Sequence, residues 1–234
     1  MRFEKTGVIR WISHLDTIGT IEKALRRAIL PVALTQGFNP RPKMSIASPL
    51  AVGITSEGEY LDIIFQRELD LEQAQQQLNH ELPLGLQITS CQELSARAPS
   101  LMAIVQLSRY RLLLPQWDLS TWQDHVEYIM SLSSVVVPRE RKKSVSPSSE
   151  DIRPGLVSMI ISEAEEGVLL DATVETSSKL FVRLPDITRI LHREKGNWSL
   201  SDSNPHRLDI GVREANSFCS LEDYFRLASR RYIV

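Results

Sequence analysis

The chain has 234 residues, 42% of them hydrophobic and 24% charged, with 27 basic against 29 acidic side chains. That is chain enough for one large domain or two small ones, and the near balance of charge excludes a uniformly basic nucleic-acid binder, so any attraction to phosphate has to come from local patches. Cys91 and Cys219 lie far apart and have neither disulfide-framework nor metal-ligand spacing, no stretch approaches the roughly 20 apolar residues of a bilayer span, and the charged start MRFEKTGVIRW is not a signal peptide; a reducing cytoplasm is expected, and no membrane.

In chain order, MRFEKTGVIRWI reads as a strand or short hairpin around Gly7. Ser13 followed by Asp16 is a capping-box-like start for a helix over 13–30, with Leu15, Ile18, Leu25 and Ile29 on its apolar face and Pro31 ending it. VALT (32–35) is a short strand, MSIASPLAVG (44–53) is irregular or strand-like, and EYLDIIF (59–65) is a strand. Asp70 caps a helix over 70–82 that buries Leu71, Ala74, Leu78 and Leu82, and GLQITSCQEL (85–94) closes a β-α-β-β-α-β order, the split βαβ of ferredoxin-like domains.

The second half repeats the theme. Strands are predicted at 103–114 and 134–141, a pair at 155–165 and 167–176 meets around Glu166–Gly167, and a further strand covers 206–215. Helices are predicted at 120–132 (with Trp122, Val126, Ile129 and Met130 inward), at 184–192 and at 220–232. The fold class is therefore α+β: two tandem ferredoxin-like units with antiparallel sheets, 1–96 and 101–234, joined near SARAPS. A Ser/Pro-rich basic stretch, RERKKSVSPSSEDIRP, makes 138–154 a flexible loop carrying Arg139, Arg141, Lys142, Lys143 and Arg153, and the last helix belongs to the second unit.

The chemistry concentrates in TQGFNPRPKMS, residues 35–45. Pro40 and Pro42 fix φ and push Asn39 and Arg41 toward extended backbone, while Gly37 admits angles other residues avoid. The expected product is a stiff arm presenting Arg41 and Lys43 to a phosphate or carboxylate with little entropy left to lose. The competing reading is a rigid crossover with Phe38 packed under the sheet and both cations merely solvated. His14 is either a half-buried core histidine or a general acid or base at the start of the first helix. Asp16 reads as a helix cap. Glu57, Glu59 and Asp62 could bind a cation, though charged residues on an edge strand are the better account. His80, His125, His192 and His206 have no ligand spacing. The sharpest site expectation gathers Asn39, Arg41, Lys43 and His14 around one anion, provided the segment from Gly37 to Gly53 folds back across the sheet.

The succession RFEKTG, SHLD, ALRRA, QGFNPRPKMS and PLAVGITSEGEYLD resembles a bacterial family of domains described as radical-SAM-linked, found beside or fused to a radical SAM protein with a cobalamin-binding-type domain. The resemblance covers nearly the whole chain and is densest over residues 2–62. It implies an accessory part only, since the three-cysteine cluster motif is missing here, and it brings no reaction with it. The family pattern has an Arg near Gly19 that this chain lacks, which removes one cation from any anion site on that helix. The resemblance implies a partner, in trans or by fusion, in a radical SAM protein; the first functional expectation is a non-catalytic module that docks on it and helps present a substrate, with RNA as the candidate, and no metal and no cofactor of its own is expected. The alternatives are a metal-independent RNA-processing enzyme using His14 with basic residues, by analogy with tandem ferredoxin-like endonucleases, and a small-anion-binding domain. No RNP-type aromatic motif is present, so RNA would be held by Asn39, Arg41, Lys43 and the Arg139, Arg141, Lys142, Lys143 stretch more than by base stacking.

Overall fold

The computed structural model describes residues 1–95, 98–114, 118–139, 148–192, 200–215 and 217–231. The chain is mixed α+β with mostly antiparallel sheet structure, and it divides into two compact units, Met1–Val105 with Asp209–Val234, and Gln106–Leu208. The C-terminal segment thus returns to the first unit, where the sequence assigned it to the second. Among the described residues no helix is long and apolar enough to cross a membrane.

In the first unit β1 (Arg2–Lys5), α1 (His14–Arg27), β2 (Met44–Ile46), β3 (Thr55–Ile63), α2 (Leu71–Glu81) and β4 (Leu86–Ser90) follow in that order. β1 lies between β4 and β3, antiparallel to both, and β2 pairs antiparallel with the end of β3. The predicted caps hold. Asp16 N–H donates to Ser13 Oγ at 3.2 Å while the Ser13 N–H and hydroxyl donate back to the Asp16 carboxylate, and the Asp70 carboxylate accepts from Gln73 N–H at 3.0 Å.

The phase of α1 differs from the predicted one. Its inward residues are Thr17, Ile21, Ala24 and Leu25, whereas Leu15 is 76% and Ile29 87% exposed. The i, i+4, i+7, i+8 set packs on Phe3, Leu61, Leu78 and Ile88, and Leu15 lies in the first turn, off that stripe. Gly19 is not held by a close neighbour, because a Cβ built there meets nothing within 4 Å. Gly19→Ala is therefore expected to stabilise the chain by up to about 1 kcal/mol through helix propensity, read as a shift of the urea midpoint; an unchanged or lower midpoint would contradict it.

The other face of this sheet is covered too. β10 (His206–Glu214) neighbours β3, β11 (Ser217–Ser220) pairs with β10, and α6 (Leu221–Arg231) follows, its start capped by Ser220. Leu221 and Phe225 pack with Tyr60, Ala47, Ile210, Val212 and with Leu101 of α3 (Leu101–Ile104). This second core is the physical reason the chain comes back: without it Tyr60 and Ala47 would face water.

In the second unit β5 (Leu107–Leu114), β9 (Gly167–Glu175) and β8 (Leu156–Ala164) form an antiparallel set in that order, β8 and β9 meeting at the predicted turn. α4 (Leu119–Ser131) buries Trp122, His125, Val126 and Ile129; Met130 is only partly covered, and His125 takes the place expected for it. α5 (Leu184–His192) has the predicted bounds. The segment read as a flexible loop instead opens and closes with paired strands, β6 (Val136–Arg139) and β7 (Ser148–Asp151). Arg141, Lys142 and Lys143 lie outside the described residues.

Candidate functional site

The arm is a β-hairpin-like projection. Ala33 N–H donates to Ile64 O at 2.8 Å, Ile64 N–H to Lys43 O at 3.0 Å, and Lys43 N–H to Ala33 O at 2.7 Å, which roots it beside the end of β3. Further out Leu34 bridges Pro42, Thr35 N–H donates to Arg41 O at 2.8 Å, and Arg41 N–H donates to Thr35 Oγ1 at 3.0 Å. Gly37 at φ +123° turns the tip, a conformation that L side chains rarely adopt. Pro42 is buried while Arg41 and Lys43 on either side are exposed, so the strand alternation sends both cations the same way. Among the described residues neither head group has a hydrogen bond or an ion pair.

Phe38 overturns the packed-crossover reading. Its relative exposure is 106%, so it touches the rest of the protein no more than it would in an isolated peptide. Leu34 and Ile64 are exposed beside the arm's root. The arm thus carries an uncovered aromatic ring and Asn39 at its tip, then Arg41 and, toward the root, Lys43, on a backbone tied by the hydrogen bonds of Ala33, Thr35, Arg41, Lys43 and Ile64.

The register separates His14 from this arm. Lys5, at the end of β1 from which the chain leads to α1, is opposite Ser56, whereas the arm leaves beside Ile63, opposite Met44. Seven residues of strand at about 3.3 Å each put the two levels roughly 20 Å apart. The fold-back that the single-site reading required does occur, but with other residues: Gly53 N–H donates to Arg10 O at 2.9 Å and packs against the Trp11 ring, so Ser48–Gly53 reaches the α1 end while Asn39, Arg41 and Lys43 stay at the opposite one.

At the α1 end the structure brings together groups that sequence reading did not. Lys5 is buried and donates from Nζ to Ile12 O at 2.8 Å. The pairs Phe3–Glu59 and Lys5–Ser56 put Glu59 and Ser56 on the face that α1 covers, and Glu59 is only 1% exposed. β3 is not the edge strand its carboxylates suggested. Glu57 is exposed, and Asp62, half-buried, accepts from Leu101 N–H at 3.1 Å with its acidity weakened by burial. Two steps along β1 (Phe3 to Lys5) face three along β3 (Ser56 to Glu59), and this bulge breaks the alternation: Glu59 shares the covered face with Ser56 and not with Glu57, while Asp62, an odd step from Glu59, takes the opposite face, so the three carboxylates do not share one side. Asp16 is held below the ordinary carboxylate value by the Ser13 hydroxyl and backbone N–H, in keeping with its capping role. His14 is half-buried as the first residue of α1. Val8, Trp11, Leu15, Val52 and Leu84 are exposed near this end, with the Arg10 guanidinium 5.0 Å over the Trp11 ring.

Two basic residues that frame the β6–β7 hairpin, Arg139 and Arg153, are engaged inside the second unit. Arg139 donates to Glu150 and to Asp186, both at 2.6 Å, and to Phe181 O at 3.2 Å. Arg153 donates to Met130 O, Leu132 O and Leu156 O, closing the carboxyl end of α4. An open hollow of about 450 Å³ is lined by Asp118, Glu163, Glu165, Glu166 and Asp202. Asp118 is already occupied as the α4 cap, accepting from Thr121 N–H, Thr121 Oγ1 and Ser120 Oγ. Such a wall repels phosphate. Burial raises both the Cys91 and Cys219 thiols, away from the thiolate a metal takes, and no group of three or more His, Cys, Asp or Glu able to hold a metal occurs among the described residues.

No curated protein matches the chain. Residues 1–184 match the family described as an uncharacterized protein conserved in bacteria (DUF2344), and a match over that much of the chain places this protein in that family.

Proposed function

We propose that this chain is a non-catalytic accessory module of a radical SAM protein, and that it holds RNA by the Thr35–Lys43 arm. The observation that carries the reading is the arm itself: Arg41 and Lys43 project from a tied hairpin with no hydrogen bond or ion pair to their head groups among the described residues, beside a wholly exposed Phe38. A preorganised cationic projection loses little entropy on binding, which suits a grip better than a reaction centre. Each unit is read as ferredoxin-like. In the first, the βαββαβ order and the β4-β1-β3-β2 adjacency support this; in the second, the β5-β9-β8 adjacency with α4 and α5 in sequence does, the β6–β7 hairpin being an insertion. RNA-binding sheets of this architecture leave one face open for stacking, but here α6 covers it, which moves recognition to the arm.

The radical SAM partner is supported by the run of motifs from SHLD to SEGEYLD and by the apolar side chains exposed around Trp11, at the end of the first unit away from the arm. An RNA-processing enzyme built on His14 fits less well, because the register takes His14 away from the cations it would work with.

The test is RNA binding by the full chain across a salt series. The double variant Arg41→Ala, Lys43→Ala is expected to bind single-stranded RNA at least tenfold more weakly at low salt, with a thermal midpoint unchanged within error, because both side chains are exposed and neither pairs among the described residues. Arg141→Ala, Lys142→Ala, Lys143→Ala runs in parallel as the second place where the sequence puts positive charge. Wild-type affinity in both variants, or no RNA binding at all, would remove the reading.

A further inference from the structure

The chemistry of the arm tip goes further than a cationic grip. Resting on the reading of the arm as an RNA-holding device, we infer that it takes unpaired RNA: one base stacks on Phe38 while Arg41 and Lys43 hold neighbouring phosphates. Phosphate attraction alone requires no ring. Yet the residue at the turn is a phenylalanine whose ring is covered by nothing in the protein, on a backbone that Gly37, Pro40, Pro42 and the Thr35–Arg41 hydrogen bonds hold in place. A ring held in water by a stiff support is a stacking platform, and every base has a face to offer it.

Two features select single strands, and a third sets the sequence preference. In a duplex the bases already stack on one another, and the A-form major groove is too deep and narrow for a side chain to enter, so the ring finds a partner only where a base is splayed out. Arg41 and Lys43 are two residues apart with Pro42 turned inward, which places their Cα atoms about 7 Å apart on one side of the strand, in position to follow one extended backbone. Phe38 has no hydrogen-bonding group, so the ring reads no base identity; the side-chain amides of Gln36 and Asn39 on either side of it are the groups at the tip that can touch a base edge. The arm therefore takes single-stranded RNA with little sequence preference.

The experiment uses the full chain and a fluorescent mixed-sequence 12-nucleotide RNA, alone or annealed to its complement, with anisotropy measured over a salt series. Phe38→Ala is expected to weaken single-strand binding about tenfold at every salt concentration, Phe38→Leu to behave like Phe38→Ala, and Phe38→Trp to restore binding. Arg41→Ala, Lys43→Ala is expected to flatten the plot of log affinity against log salt by about 1.4, two phosphates at roughly 0.7 each. Duplex RNA is expected to bind more weakly than the single strand, and Phe38→Ala to leave duplex binding unchanged. If Phe38→Ala binds like wild type while the double cation variant does not, the RNA-holding reading stands and this inference falls. Equal affinity for duplex and single strand, or wild-type single-strand affinity in Phe38→Leu, also overturns it. If all the variants bind like wild type, both readings fall. Retained RNA affinity in Phe38→Ala, with loss of a radical SAM partner in a pull-down, would make the ring a protein contact and overturn the inference.

Discussion

Arg139→Ala is expected to destabilise the second unit by about 3–5 kcal/mol. The Arg139 guanidinium joins Glu150 on β7, Asp186 in the first turn of α5 and the carbonyl of Phe181, and the Arg139 and Asp186 side chains are only 10% and 4% exposed. Asp186 also accepts from Arg183 N–H at 2.9 Å, so it cannot swing away without uncapping α5. Truncating the arginine leaves a buried carboxylate without its charge partner, and that loss takes up much of the roughly 5–15 kcal/mol by which a domain is stable. The measurement is the urea unfolding curve. A double-mutant cycle with Asp186→Asn sharpens it: removing both charges is expected to cost less than the sum of the single losses, because the penalty comes from the stranded partner. An Arg139→Ala midpoint within error of wild type would show that the pair is not a structural tie. The contrast with Arg41 is the functional point. Both arginines are basic residues in polar stretches of sequence, but one holds a unit together and the other is held out to solvent.

Gly211→Ala is expected to be as damaging, at about 3 kcal/mol or more, through backbone overlap. A Cβ at Gly211 would sit 2.0 Å from Cys219 O and 2.9 Å from its carbonyl carbon, with the Phe218 ring at 3.0 Å. Gly211 faces Ser220 in the β10–β11 ladder, and Ser220 caps α6, so relief requires opening the ladder that seats Leu221 and Phe225 on the sheet. The expected result is a lower thermal midpoint with faster amide exchange in α6 and β11 than in α1. Uniform exchange across the first unit, or a wild-type midpoint, would show that the ladder gives way without cost. RNA binding through the arm is expected to persist at temperatures where this variant remains folded, because the arm is rooted on β3 and not on α6.

The features legible in the sequence are those whose chemistry lies within a few residues. Ser13 with Asp16, Asp70 with Gln73, the turn before Gly167 and the bounds of α5 are each set by one cap or one permissive backbone angle, and local hydrogen bonds decide them. The stiffness of the arm belongs to the same class, since Gly37, Pro40 and Pro42 act on their own φ angles. The phase of α1 was not legible in this way. Leu25 and the partly buried Ile18 of the expected stripe do face the core, Leu15 and Ile29 do not, and only the position of the sheet beneath the helix brought Thr17, Ile21 and Ala24 inward.

The sequence by itself determined the mixed α+β class, the caps of α1 and α2, and an arm that must stand stiffly with Arg41 and Lys43 on it; the strand expected at 32–35 is reduced to isolated bridges, and α3, β7 and β11 were not legible. Only the tertiary structure decided that Phe38 faces water, that Glu59 is buried beneath α1, that Arg139 is spent on Asp186, and that His14 lies at the other end of the sheet from the arm. The reason is common to all four. Burial and proximity are properties of strand pairing, and pairing joins residues as distant in sequence as Lys5 and Ser56 through an area term that no short window of sequence contains.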